Sequence, residues 1–208
     1  MSQTWILSES AFLRTLLGPR PFFRDTAALY AELSSPDEAR LRQGIQRLVR
    51  HARIPHTLDI DFQWDATFAQ HVAGVANVRL SQIRLPMSML GHSERCAYAL
   101  AHEVAHHVLG LHDRAVGARI LPRYGDTPAG LKELERLTDL TVFQLGWGAL
   151  LMSGAYWQEA NGDMTRAGYL SDDELRQALL EYAQQERLTG ADLESQLSPN
   201  GRRVMLGC

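Results

Sequence analysis

The chain has little cysteine, almost no lysine and no evident export signal. Two cysteines, Cys96 and Cys208, are too few to staple a small secreted fold, and a reducing cytosol suits them best. The opening run Met1-Ser2-Gln3-Thr4-Trp5 has no basic stretch leading into a continuous apolar one, so no secretory signal is expected and a cytoplasmic location is. Lys132 is the single lysine; the other positive charge is arginine, and a formal net charge of -3 offers no basic field to nucleic acid. A phosphate-binding glycine loop and a nucleophile elbow are both missing, so no competing enzyme class gains support. Long hydrophobic runs are scarce too. The best, Leu140 to Trp157, is uncharged but falls short of the roughly 20 apolar residues a spanning helix needs. It also holds Gln144, Ser153, Gly146 and Gly148, which favour a core helix and leave no membrane partner expected.

What is present describes one globular domain over 1–208, since 45% hydrophobic and 22% charged residues are ordinary for a chain of this length. Ser35-Pro36-Asp37-Glu38 combines a capping serine, a proline in the first helical position and a capping-box glutamate, which predicts a helix from about Pro36 to His51. Leu41, Ile45 and Leu48 share its apolar face, and Arg40, Arg42, Arg47 and Arg50 spread over the others as a solvated surface. Beyond Pro55 the period drops to two: Leu58, Ile60 and Phe62 alternate with Asp59, Asp61 and Gln63. Two more extended runs, Gly74 to Leu80 and Gln82 to Pro86, complete a small sheet. A helix is then expected from Ser93 to Gly110, with that glycine as a left-handed stop. Another runs from Pro128, after a Thr127 cap, to about Ser153, and a last one from Ser171-Asp172-Asp173-Glu174 to about Arg187. Asn161-Gly162 between them predicts a tight hairpin. The expected class is α+β.

One motif carries chemistry. In His102-Glu103-Val104-Ala105-His106 the histidines are four apart and share a helix face, so both imidazoles can reach one ion, with Glu103 beside the open coordination position. Ala101, Val104, Ala105, Val108 and Leu109 imply that this helix is buried, where two histidines and a glutamate are costly without a metal or partners. Zinc held by three protein ligands keeps one position for water, and a neighbouring carboxylate can act as general base, the role expected of Glu103. Three residues compete for the third ligand position. Glu135 shares a helix face with Asp139, so one can bind metal while the other hydrogen-bonds a ligand histidine. Glu133 is its neighbour but points elsewhere around the helix. His112, six residues after His106, has the spacing of the third metzincin histidine, but the glycine of that pattern would stand where Leu109 does. Met152, the residue available for a Met-turn, reads as core.

His102-Glu103-x-x-His106 followed by Glu135-x-x-x-Asp139 resembles the gluzincin branch of zinc peptidases, and with the short strands before the first motif it is similar to small bacterial ImmA/IrrE-type metallopeptidases and minigluzincins. The resemblance implies a zincin-like fold, with a small sheet packed on the motif helix and a second ligand-bearing helix. It implies Zn2+ held by His102, His106 and Glu135, Glu103 as base, Asp139 behind a ligand histidine, and a peptide or protein substrate lying along Gly74 to Val78 as an edge strand. His107, His112, Tyr124 and Tyr156 are the candidate oxyanion donors. His51, His56, His71 and His92 read as surface or turn residues, and Cys96 as a buried structural thiol. The expected activity is peptide-bond hydrolysis by metal-activated water. The alternative is a catalytically inactive zincin-fold protein that regulates or binds a partner. Nucleic-acid binding through Arg40 to Arg53 ranks last.

Overall fold

The computed structural model describes residues 2–35, 37–53, 61–67, 74–89, 91–158 and 164–207. Helices α1 (Ser2–Leu17), α2 (Thr26–Leu33) and α3 (Glu38–His51) come first, followed by strands β1 (Asp61–Asp65), β2 (Val75–Asn77) and β3 (Gln82–Pro86). Then come α4 (Ser93–Gly110), α5 (Asp113–Tyr124), α6 (Pro128–Gln144) and α7 (Gly148–Gly154). A hairpin of β4 (Tyr156–Gln158) and β5 (Met164–Arg166) precedes α8 (Asp172–Glu186), α9 (Gly190–Glu194) and α10 (Pro199–Leu206). The class is α+β, mostly helical with a small sheet.

Helix α4 is buried over almost its whole circumference, from Arg95 through Leu109, and such a helix belongs at the centre of a core. It touches α2, α3, α6 and α7 on its helical sides and β2 and β3 on the other. The three-stranded sheet has the order β1-β3-β2, with β1 parallel and β2 antiparallel to β3, which leaves β2 at an edge. Ile83 and Leu85, two apart on β3, are fully buried, as a strand with one face on a core requires. Leu41, Ile45 and Leu48 of α3 are buried as their spacing predicts. Among the described residues no helix is long and apolar enough to cross a membrane.

Several local expectations change. The cap of α3 is Asp37, whose carboxylate accepts from the Ala39 N–H, and not Ser35, whose hydroxyl accepts from the Asp37 N–H. Pro36, Leu58, Ile60, His56, His71, the Asn161-Gly162 turn and Cys208 lie outside the described residues. The second extended run is strand only over Val75–Asn77; Val78–Leu80 is a turn of 3-10 helix capped by the Asn77 side chain. Gly110 is not a left-handed stop. It ends α4 in helical conformation, and its missing side chain admits Val78, whose methyl would lie 2.3 Å from a Cβ there. His51 is half-buried at the end of α3: its ring packs on Phe23 and Trp147, and Nε2 lies 3.0 Å from the Leu145 carbonyl.

The helix expected from Pro128 to Ser153 is two helices, broken at Leu145–Trp147. Gly146 adopts a left-handed φ of 83°, and its carbonyl accepts a hydrogen bond from the Phe23 N–H at 3.0 Å. A Cβ at this position would stand 2.2 Å from the Pro21 carbonyl oxygen. The segment joining α1 to α2 thus crosses α6–α7 where only glycine fits, and tertiary contact overrides the apolar helical run. Gly146→Ala combines a disfavoured φ with a backbone clash. It should cost about 2–4 kcal/mol of unfolding free energy, read from urea denaturation midpoints at unchanged m.

Candidate metal centre

Helices α4 and α6 meet with their i, i+4 pairs facing: His102 and His106 on one, Glu135 and Asp139 on the other. His106 Nε2 lies 3.1 Å from His102 Nε2 and 3.1 Å from Glu135 Oε2, and His102 Nε2 is 3.2 Å from the same oxygen. The three atoms form a nearly equilateral triangle. A tetrahedral ion with bonds of about 2.0–2.1 Å has ligand–ligand edges of about 3.3–3.4 Å, so the triangle fits one face of such a polyhedron. Among the described residues, His102, His106 and Glu135 are the His, Cys, Asp or Glu group with metal-holding spacing.

The far sides of the imidazoles are also fixed. Asp139, fully buried, has Oδ1 at 2.9 Å from His102 Nδ1. Thr138 gives its hydroxyl proton to the Leu134 carbonyl, so its oxygen faces His106 Nδ1 as an acceptor at 3.4 Å. With a metal bound, these acceptors would favour the hydrogen on each Nδ1 and leave each Nε2 lone pair to the triangle. Two lone pairs and a carboxylate this close repel unless positive charge lies among them, either a proton on an imidazole or a metal cation. The protonated alternative sets the pKa values of the metal-free chain. Burial alone would lower His102, but hydrogen bonds to Asp139 and Glu135 outweigh it and raise the ring to about 10. Burial would raise Glu135, and hydrogen bonds from both histidines instead bring it down to about 2.

Glu103 is buried on the same turn of α4. Burial raises its carboxyl above the ordinary range, the two histidines oppose that, Glu135 adds to it, and a hydrogen bond from the Ala76 N–H on β2 holds the ionised form back from further loss. His102, Glu103, His106 and Glu135 line one cavity of about 580 Å³, walled on one side by Gly74, Val75 and Ala76 and on the other by the β4–β5 hairpin and the turn after it. A second, more apolar hollow of about 550 Å³ lies across His106, between the ends of α4, α5 and α6.

The rival ligands are accounted for. Glu133 is drawn to Arg136 at 2.7 Å, and His112 begins α5 outside the donor group. Met152 is core, and Cys96 is fully buried with its thiol pushed up to about 12 by that burial. None of His107, His112, Tyr124 and Tyr156 lines the cavity; the Tyr156 hydroxyl instead donates to Asp172 at 2.8 Å. The wall contains residues that sequence reasoning passed over: Tyr98, Trp157, Thr165, Arg166 and Tyr169. Tyr98 and Tyr169 lie nearly parallel to the His102 ring, at interplanar angles of 10° and 21°. The guanidinium of Arg95 stacks on Trp157 at 4.1 Å. The hairpin residues follow no spacing that ties them to the motif, so only chain tracing brings them to it. No family model matches the chain, nor does any curated protein or solved structure.

A metal entering this triangle must displace the His102 proton. Because that pKa is raised, the proton competes up to about pH 10, and rising pH removes the competitor. Apparent zinc affinity should climb about tenfold per pH unit between pH 7 and 9, measured by chelator competition. The metal-free chain should show the opposite trend: the charged His102 stabilises fully below its ordinary value of 6.5 and loses that contribution as pH rises toward 10. Its melting temperature should therefore fall over that window.

Proposed function

We propose that the chain is a zinc-dependent hydrolase of peptide bonds with a zincin-like, gluzincin-type centre: His102, His106 and Glu135 hold the ion, Glu103 is the general base and Asp139 orients His102. The observation that carries this reading is the triangle of three donor atoms, 3.1–3.2 Å apart, in the wall of an open cavity with a buried glutamate beside it. Two imidazoles and one carboxylate are the donor set of catalytic zinc sites, which leave a fourth position for exchangeable ligands. Zinc supplies Lewis acidity there, polarising a carbonyl and acidifying water.

The chain's own groups supply the rest. Glu103, with a carboxyl raised by burial, takes the proton of the attacking water and returns it to the leaving amine. The Ala76 N–H keeps that carboxyl on the cavity side. Strand β2, at the sheet edge and along the cavity, offers backbone to an extended peptide, which favours a polypeptide substrate over a compact small molecule. Tyr169 and Thr165 belong to the cavity wall, and their hydroxyl groups are candidate donors to charge developing on the carbonyl oxygen.

Glu103→Gln removes the base and keeps every proposed ligand. The variant should retain one zinc per chain by elemental analysis while cleavage of a peptide library, read by mass spectrometry, falls about 10²- to 10⁴-fold. Unchanged cleavage by the variant would sink the mechanism. A wild-type chain that binds zinc tightly and cleaves nothing in the library would turn the reading to a regulatory, partner-binding scaffold.

A further inference from the structure

The turn after the β4–β5 hairpin touches the buried centre twice. Asp139 Oδ2 accepts from the Tyr169 N–H at 2.6 Å and from the Leu170 N–H at 3.2 Å. These donors occupy one carboxylate oxygen and leave the other, Oδ1, to His102 Nδ1 at 2.9 Å. The Tyr169 side chain returns to the same histidine: its ring lies 6.1 Å from the imidazole centroid at an interplanar angle of 21°. The preceding residue makes the approach possible. Gly168 has a φ of 95°, and a Cβ there would stand 2.9 Å from the Tyr98 hydroxyl and 3.2 Å from Asp139 Oδ2. The turn is pinned from outside by Arg166, whose guanidinium donates to the Gly168 and Leu170 carbonyls.

A fully buried carboxylate needs donors wherever it sits, so hydrogen bonds to Asp139 alone would mean only a satisfied core. Two further features go beyond that. The carboxylate is shared between the turn and one of the three donor residues of the triangle, and the turn reaches that same residue a second time through Tyr169. Ala167, Gly168 and Tyr169 are also wall of the cavity. One short segment is therefore both part of the substrate enclosure and the outer support of a donor.

We propose that Gly168, Tyr169 and Leu170 are positioning residues of the metal centre: their backbone fixes Asp139, which fixes the His102 ring with Nε2 aimed at the ion. This rests on the metal reading above. Outer partners of ligand histidines commonly contribute 10- to 100-fold in metal affinity, by setting the ring's tautomer and orientation. Coupling of this kind is reciprocal, so a turn that strengthens metal binding is itself held more firmly when metal is bound.

The test measures zinc affinity by chelator competition for the wild type, Gly168→Ala and Gly18→Ala. Gly18 also has a left-handed φ, 70°, but nothing lies within 4 Å of its added Cβ, so it matches the backbone strain without the contact. Gly168→Ala should lose about 10- to 100-fold in zinc affinity, and Gly18→Ala should stay within twofold of wild type. Zinc loading of the unmodified chain should also slow hydrogen exchange at the Tyr169 and Leu170 amides, a readout that does not require the variant to fold. Wild-type affinity in a folded Gly168→Ala, or exchange at these two amides indifferent to zinc, overturns the proposal and leaves the metal reading intact. Failure of the wild type to bind zinc overturns both.

Discussion

Two imidazole nitrogens and a carboxylate oxygen within 3.2 Å of one another, at a helix contact in the wall of a cavity, form an arrangement that demands positive charge. Much of the remaining architecture can be understood as holding that arrangement. Helix α4 is buried around nearly its whole circumference, which fixes its rotation and hence the direction of His102, Glu103 and His106. Helix α6 lies against it in the register that brings Glu135 to both histidines and Asp139 behind one of them. A proton can satisfy the charge requirement in the metal-free chain, and hydrogen bonds to Asp139 and Glu135 raise His102 above its ordinary range despite burial.

The cavity exists because two separate parts of the chain converge on α4. The edge strand β2 closes one side and reaches Glu103 through the Ala76 N–H. The hairpin arm closes the other and reaches His102 through Asp139 and Tyr169. Glu103 and His102 are thus contacted from different walls.

Some of the centre was legible in the residues. The i, i+4 spacing of His102 and His106 needs only a helix to share a face, and α4 begins at the expected Ser93. Glu135 and Asp139 follow by the same geometry. Helix α8 was equally readable, because the Ser171–Glu174 capping box satisfies donors within one turn of chain, whereas the short α9 and α10 beyond it were not expected. What failed did so at long-range contacts. Gly146 breaks an apolar run because residues 21–23 cross it. Gly110, still within the helix, stands where Val78 leaves no room for a Cβ. His51 packs on Phe23 and Trp147, both far from it in sequence.

The sequence by itself determined the local chemistry: a helix carrying two imidazoles and a carboxylate on adjacent turns, and a second helix carrying paired acids, because a rise and rotation per residue suffice to place them. Helix spacing favoured Glu135, and tertiary structure brought that residue to the histidines. Glu133, Glu135 and His112 were all available by spacing, and packing of α6 on α4 turned Glu135 inward while Arg136 drew Glu133 aside. It also decided what encloses the centre, since the hairpin turn meets Asp139 across about 30 residues of chain, and no local periodicity records such a contact.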